Sequence, residues 1–177
     1  MRHLSNKDTN IITVRVNRKV KDDIANMADS NSMNLSSLVN KILTEYTEWG
    51  RYSNELDFVT LNSDILKKIF DSIEESKLSG ITPSSSRYFL NICEFINGES
   101  DFDKFITVFN HWLNYSNFKF RYLVNNDSQK YVINHNGGTN FSIFLTNTIS
   151  SNIENFGRML SDVKIENQLL KFTIEKI

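Results

Sequence analysis

Two periodicities alternate along the chain, and their order predicts its elements. Residues 11–16, Ile-Ile-Thr-Val-Arg-Val, are short and β-branched with polar side chains at alternate positions, the pattern of a strand with two unlike faces. Ile12, Val14 and Val16 fall on one face; Ile11, Thr13 and Arg15 fall on the other. Asn17 can cap a following helix over residues 18–29, in which Val20, Ile24, Met27 and Ala28 recur at spacings of three and four. After a break at Ser30-Asn31-Ser32, Asn34 supplies a second cap. Leu35, Leu38, Val39, Ile42, Leu43 and Tyr46 then make the apolar stripe of a second helix that extends to Trp49 and ends at Gly50.

The polar, aperiodic residues 51–55 predict a linker, which separates a small domain over residues 1–50 from a larger one over 56–177. In the larger part, Phe58-Val59-Thr60-Leu61 reads as a strand and residues 64–75 as a helix carrying Ile65, Leu66, Ile69, Phe70 and Ile73. Pro83 and the three serines after it predict a turn into a helix near residues 87–96, and residues 102–115 predict another. Phe118 to Tyr122 alternates, the run 125–128 has turn chemistry and Tyr131-Val132-Ile133 follows, which makes an antiparallel hairpin. A helix over residues 140–156 and a second hairpin about Asn167 complete the chain. Because the hairpin strands alternate, they need cover on one side only. The expectation is therefore an α+β domain with an antiparallel sheet and helices mainly on one face.

Composition narrows the class. At 177 residues, 40% hydrophobic and 23% charged, with 13 Phe and a single Pro, the chain has apolar material for a packed core and too little polar bias for general disorder. A single cysteine, Cys93, excludes an internal disulfide framework. The polar first ten residues and the lack of a spanning apolar run point to a cytoplasmic protein without a membrane partner. The formal net charge of −1 argues against a chain that coats nucleic acid over its whole surface. The distribution matters more than the total: residues 1–21 hold six basic residues against one acid, a local +5 that leaves −6 for the rest.

The order of a short strand, a helix, a tight turn and a second helix, carried by Thr13 to Asn17, by Val20, Ile24, Met27 and Ala28, and by Met33 to Leu38, resembles the ribbon-helix-helix family of DNA-binding repressors of the Arc, MetJ and CopG types. Ser32 stands where that family often has glycine, beside Asn31, which suits left-handed backbone. The physical logic runs parallel to the resemblance. One strand on two helices, in under 50 residues, cannot bury its apolar face, so an obligate homodimer is expected. Two copies pair the strand antiparallel and bury Ile12, Val14, Val16, Val20, Ile24, Leu38 and Ile42. The opposite face, with Ile11, Thr13 and Arg15 of each copy, then enters the major groove of double-stranded DNA as base reader. The helix N-terminus at Asn34, Leu35 and Ser36, with Lys7, Arg18, Lys19 and Arg2, is expected to hold phosphates.

Residues 56–177 carry no P-loop, glycine-rich dinucleotide turn, nucleophile elbow or zinc-protease helix, so no catalytic centre is expected there, and nothing calls for a metal or cofactor. The one candidate ligand turn is His135, Gly137, Gly138 and Thr139, where a strand end meets two glycines and a helix N-terminus able to hold an anion. Together these features predict a cytoplasmic transcriptional regulator, a repressor by resemblance, whose second domain binds a small-molecule or protein effector or assembles dimers into tetramers. Two other readings stand beside it. One is an antitoxin with a toxin-binding C-terminal part; the other is an enzyme or structural module tethered by an N-terminal dimerisation unit.

Overall fold

The structure, a computed structural model, describes residues 10–53, 55, 56, 58–125 and 128–177. The chain divides into two compact units between Thr47 and Glu48.

The first unit is built on two helices, α1 (Arg18–Ser30) and α2 (Leu35–Glu45). Both begin at the asparagines the sequence marks as caps: Val20 N donates to Asn17 Oδ1 at 2.9 Å and Ser37 N to Asn34 Oδ1 at 2.8 Å. The turn between them closes with Ser32 N donating to Asp29 O and Met33 N to Ala28 O. Here the left-handed residue is Ser32, with φ 53°, and not Asn31. Asn31 stays at φ −95° and spends its side chain on Met27 O. The pair of hydrogen bonds donated by Ser32 N and Met33 N places the left-handed turn at Ser32.

The strand expected over residues 11–16 is absent from the single chain: residues 10–17 have no regular secondary structure and are exposed. A strand without a neighbour has no ladder to join, and this unit offers none. Its buried residues among those described are Ala28 and Leu38 alone, where the two helices touch.

The second unit begins with the π-helix Tyr46–Gly50, most of which belongs to it, and the short helix α3 (Arg51–Ser53). Residues 51–53, expected as linker, are thus helical. Trp49 is buried in the second unit's core, and Ser53 is buried with its hydroxyl on Gly50 O. Residues 58–62 form no strand. Phe58 instead lays its ring 5.5 Å from Trp49 and 6.1 Å from Tyr115, while Val59 and Leu61 are exposed.

Helices α4 (Ser63–Asp71), α5 (Glu75–Asn97), α6 (Phe102–Tyr115) and α7 (Gly138–Glu154) combine with strands β1 (Lys119–Asn125), β2 (Ser128–Asn134), β3 (Arg158–Glu166) and β4 (Leu169–Lys176). The sheet is antiparallel in the order β1-β2-β4-β3, so both predicted hairpins form and join along β2 and β4. Tyr131, Ile133, Leu170, Phe172 and Ile174 are buried on its helix-covered face. There Tyr122, Tyr131 and Phe172 stack across three strands at 5.4 and 5.2 Å, and Asn110 of α6 accepts the Tyr131 hydroxyl at 3.0 Å.

Pro83 does not break the chain. Helix α5 runs through it for 23 residues, because the helix is held along its length by its neighbours. Ser86 is buried, and Ser85 Oγ lies 2.7 Å from Thr148 Oγ1 of α7, so the serines after the proline provide close helix packing where the sequence suggests a turn. Asn140 of α7 donates to Phe70 O and Ile73 O at 3.0 and 2.9 Å, which satisfies carbonyls at the C-terminal end of α4.

Candidate functional site

In the first unit Ile11, Thr13 and Arg15 are exposed, and Arg15 has no ion-pair partner among the described residues. At the start of α2 the Asn34 side chain takes the N–H of Ser37. The N–H groups of Leu35 and Ser36 lie in the first turn of α2, where a helix offers no carbonyl partner of its own. Arg18 pairs with Asp22 at 3.7 Å on the exposed face of α1, and Lys19 is exposed without such a partner. Lys7 and Arg2 lie outside the described residues.

Most residues expected in a dimer core lie open. Ile12, Val14 and Val16 are 75%, 67% and 54% exposed, and Val20 and Ile42 are also exposed. Ile24 is half-buried and Leu38 is buried.

In the second unit the His135 turn sits between two openings. The larger is a cavity of about 650 Å³ walled by Phe58, Trp112, Tyr115, Phe118 and Phe141. These rings touch in series: Trp112 is 5.6 Å from Phe118, and Phe118 is 5.7 Å from Phe141. Its polar lining includes Lys119, Asn134, Asn136 and Gln168, at the ends of strands and in turns, and the irregular segment 58–61 also lines it. The smaller opening, of about 490 Å³, lies beside Lys67, Asp71, Gly138, Thr139 and Glu166.

The expected ligand turn is therefore not one site: His135 faces the aromatic cavity, and Gly138 and Thr139 face the other opening. At the N-terminus of α7 a carboxylate of the chain itself is present. Asp71, paired with Lys67, already sets its carboxylate so close to Gly138 that a Cβ there would meet Oδ1 at 2.9 Å.

His135 is buried with both ring nitrogens engaged: Gly137 N donates to Nδ1 at 3.2 Å and Nε2 lies 2.8 Å from Ser142 Oγ. The accepting Nδ1 leaves the proton on Nε2, and burial pushes the imidazole down to about 4, so the ring is neutral at pH 7. It orders the turn from strand to helix. Burial also pushes the Cys93 thiol up to about 12, with the charges of Asp101 and Glu94 adding to the effect, so it is held protonated and away from solvent. His111 stacks on Trp49 at 6.1 Å and stands 4.0 Å from Glu48. Among the described residues no three His, Cys, Asp or Glu are grouped to hold a metal ion, and no helix is long and apolar enough to cross a membrane.

Sequence alone does not assemble the aromatic cavity. Phe58, Trp112 and Phe118 lie on a loop, a helix and a strand approach, and each reads locally as core.

The glycine of the turn has a direct consequence. A Cβ on Gly137 would fall 2.5 Å from Phe141 Cγ, displacing the ring that packs against His135 at 4.9 Å and Phe70 at 5.0 Å. Gly137→Ala should destabilise by about 1–3 kcal/mol. Gly80→Ala, on an exposed helical position with open space at its Cβ, should stabilise by up to about 1 kcal/mol. Urea midpoints of the two variants, moving in opposite directions, test the assignment.

No family model matches the chain, and no curated protein or solved structure shows significant similarity to it.

Proposed function

We propose that this chain is a sequence-specific transcriptional regulator that binds the major groove as a homodimer. Residues 11–16 of two copies would pair as an antiparallel ribbon over α1 and α2, giving a ribbon-helix-helix unit. The observation that carries this reading is the apolar stripe Ile12, Val14, Val16, Val20 and Ile42, left exposed on a unit that buries Ala28 and Leu38. A second copy offers the matching strand edge and the matching stripe, and closing the ribbon turns Thr13 and Arg15 outward together. The N–H groups of Leu35 and Ser36, in the first turn of α2, would anchor phosphates beside the groove.

The second unit has its own aromatic core, which favours a folded regulatory domain over the short, partner-ordered tail of an antitoxin. Its cavity suits a small planar effector, with rings for the ligand's faces and Lys119, the one lysine, arginine or carboxylate on its lining among the described residues, for an anionic substituent.

Selection from a random duplex pool with the full-length protein tests the regulator reading. Enrichment of an inverted repeat supports it, and an unenriched pool overturns it. On the selected site Arg15→Ala should cost about 1–3 kcal/mol and relax the preference at one base position in each half-site. Equal losses on selected and random duplexes would make Arg15 a phosphate contact.

A further inference from the structure

Charge is segregated within the second unit. Residues 48–115, mostly helical, hold 11 acids against six bases, whereas residues 116–177, which supply the sheet, hold seven bases against five acids. The lysines of the helical part are largely paired, as in Lys67–Asp71, Lys77–Glu74 and Lys104 with Glu99 and Asp101. The sheet differs. Its register places Arg121, Val132, Lys171 and Lys164 in one row across all four strands, and Leu123, Lys130, Thr173 and Ser161 in the next. These rows alternate with the buried Tyr131, Ile133, Phe172 and Ile174, so they lie on the face opposite the helices. Arg121, Lys130 and Lys164 are exposed and have no ion-pair partner among the described residues. Lys171 is held by Glu166 at 3.5 Å, Glu175 lies towards one end of the face, and the exposed Asp162 sits in the β3 bulge between Ser161 and Lys164.

We propose that this open sheet face is a second contact surface for duplex DNA, directed at the phosphate backbone. The proposal rests on the regulator reading for its partner and on the sheet register for its surface. The row from β1 to β3 spans about 14 Å at the usual strand spacing, wide enough to meet several phosphates. Among the described residues the face carries no aromatic side chain: Phe120, Tyr122, Tyr131 and Phe172 all lie on the helix side. Unstacked bases of a single strand would find no ring to stack on, which leaves the regular phosphates of a duplex as the matching polyanion. Such contacts add affinity and salt dependence without base preference.

The test uses the full-length protein and fluorescence anisotropy across a salt series, on the selected duplex, a random duplex and a single strand of equal length. The triple variant Arg121→Gln, Lys130→Gln, Lys164→Gln should bind both duplexes more weakly, with the slope of log K against log salt reduced by up to about 2.7 per chain. The pair Lys130→Glu, Lys164→Glu should weaken binding further. All these positions are exposed, and unchanged circular dichroism and melting temperature establish that the fold is kept. A triple variant with the parental slope overturns the proposal, as does single-stranded DNA bound as tightly as duplex. Failure of the regulator reading is a separate result: no sequence is enriched and Arg15→Ala has no selective effect, while the sheet variants still lose random-duplex binding.

Discussion

Val14→Asp should convert a dimer into a monomer. In the single chain Val14 is open to solvent between Ile12 and Val16, and no strand or helix of its own unit covers it. In the proposed ribbon it faces its counterpart and the helices below, so the variant brings a carboxylate from each copy into an apolar layer near the two-fold axis. An unpaired buried charge costs several kcal/mol, and here two of like sign are added. A unit of under 50 residues with so small a core of its own cannot absorb such a loss. Sedimentation equilibrium of the full chain should show a dimer for the parent and a monomer for the variant at micromolar concentration. Hydrogen exchange should show protection lost over α1 and α2 but retained in α7 and β4. A parent chain that sediments as a monomer, or a variant that still dimerises, would sink the ribbon.

What the sequence made legible follows the range of the forces involved. Asn17 and Asn34 cap helices in the structure as their positions suggest, because a cap is a contact between residues three apart. The two hairpins form with their turns where Asn125 to Ser128 and Asn167 predict them, and alternation in β2 and β4 identifies the buried face. Local rules failed where tertiary packing decides. Pro83 lies inside α5, which packs along α7, and Phe58 to Leu61, a passable strand by composition, joins no sheet while Phe58 packs on Trp49 and Tyr115. The strand at residues 11–16 is the reverse case: its pattern is clear, but the partner that would order it is a second molecule. For the second unit, the His135 turn was visible as two glycines between a strand and a helix. The cavity beside it was not, since its aromatic walls come from residues up to 83 positions apart, Phe58 to Phe141, whose side chains all read as core.

That turn should also make the second unit acid-sensitive, which gives the other large effect. His135 lies against Phe118 and Phe141, and its imidazole is held neutral down to about pH 4. In the unfolded chain a histidine protonates near pH 6.5. Between these values the unfolded state binds a proton that the native state refuses, so the stability contributed by the buried neutral ring is complete above about pH 6.5 and drains away as the pH falls towards 4. A difference of about 2.5 pH units corresponds to about 3 kcal/mol, most of it lost by pH 4.5, against a typical domain stability of about 5–15 kcal/mol. Urea unfolding of the full chain, followed by hydrogen exchange in α7 and β2, should therefore show a steep decline in stability between pH 6.5 and 4.5. His135→Gln should be less stable than the parent at pH 7, because Ser142 Oγ and Gly137 N lose their partner, but it should lose much less on acidification. The two stability curves should converge as the pH falls. If the variant declines as steeply as the parent over that window, the acid sensitivity belongs to other groups, and His135 is not the neutral keystone of the turn.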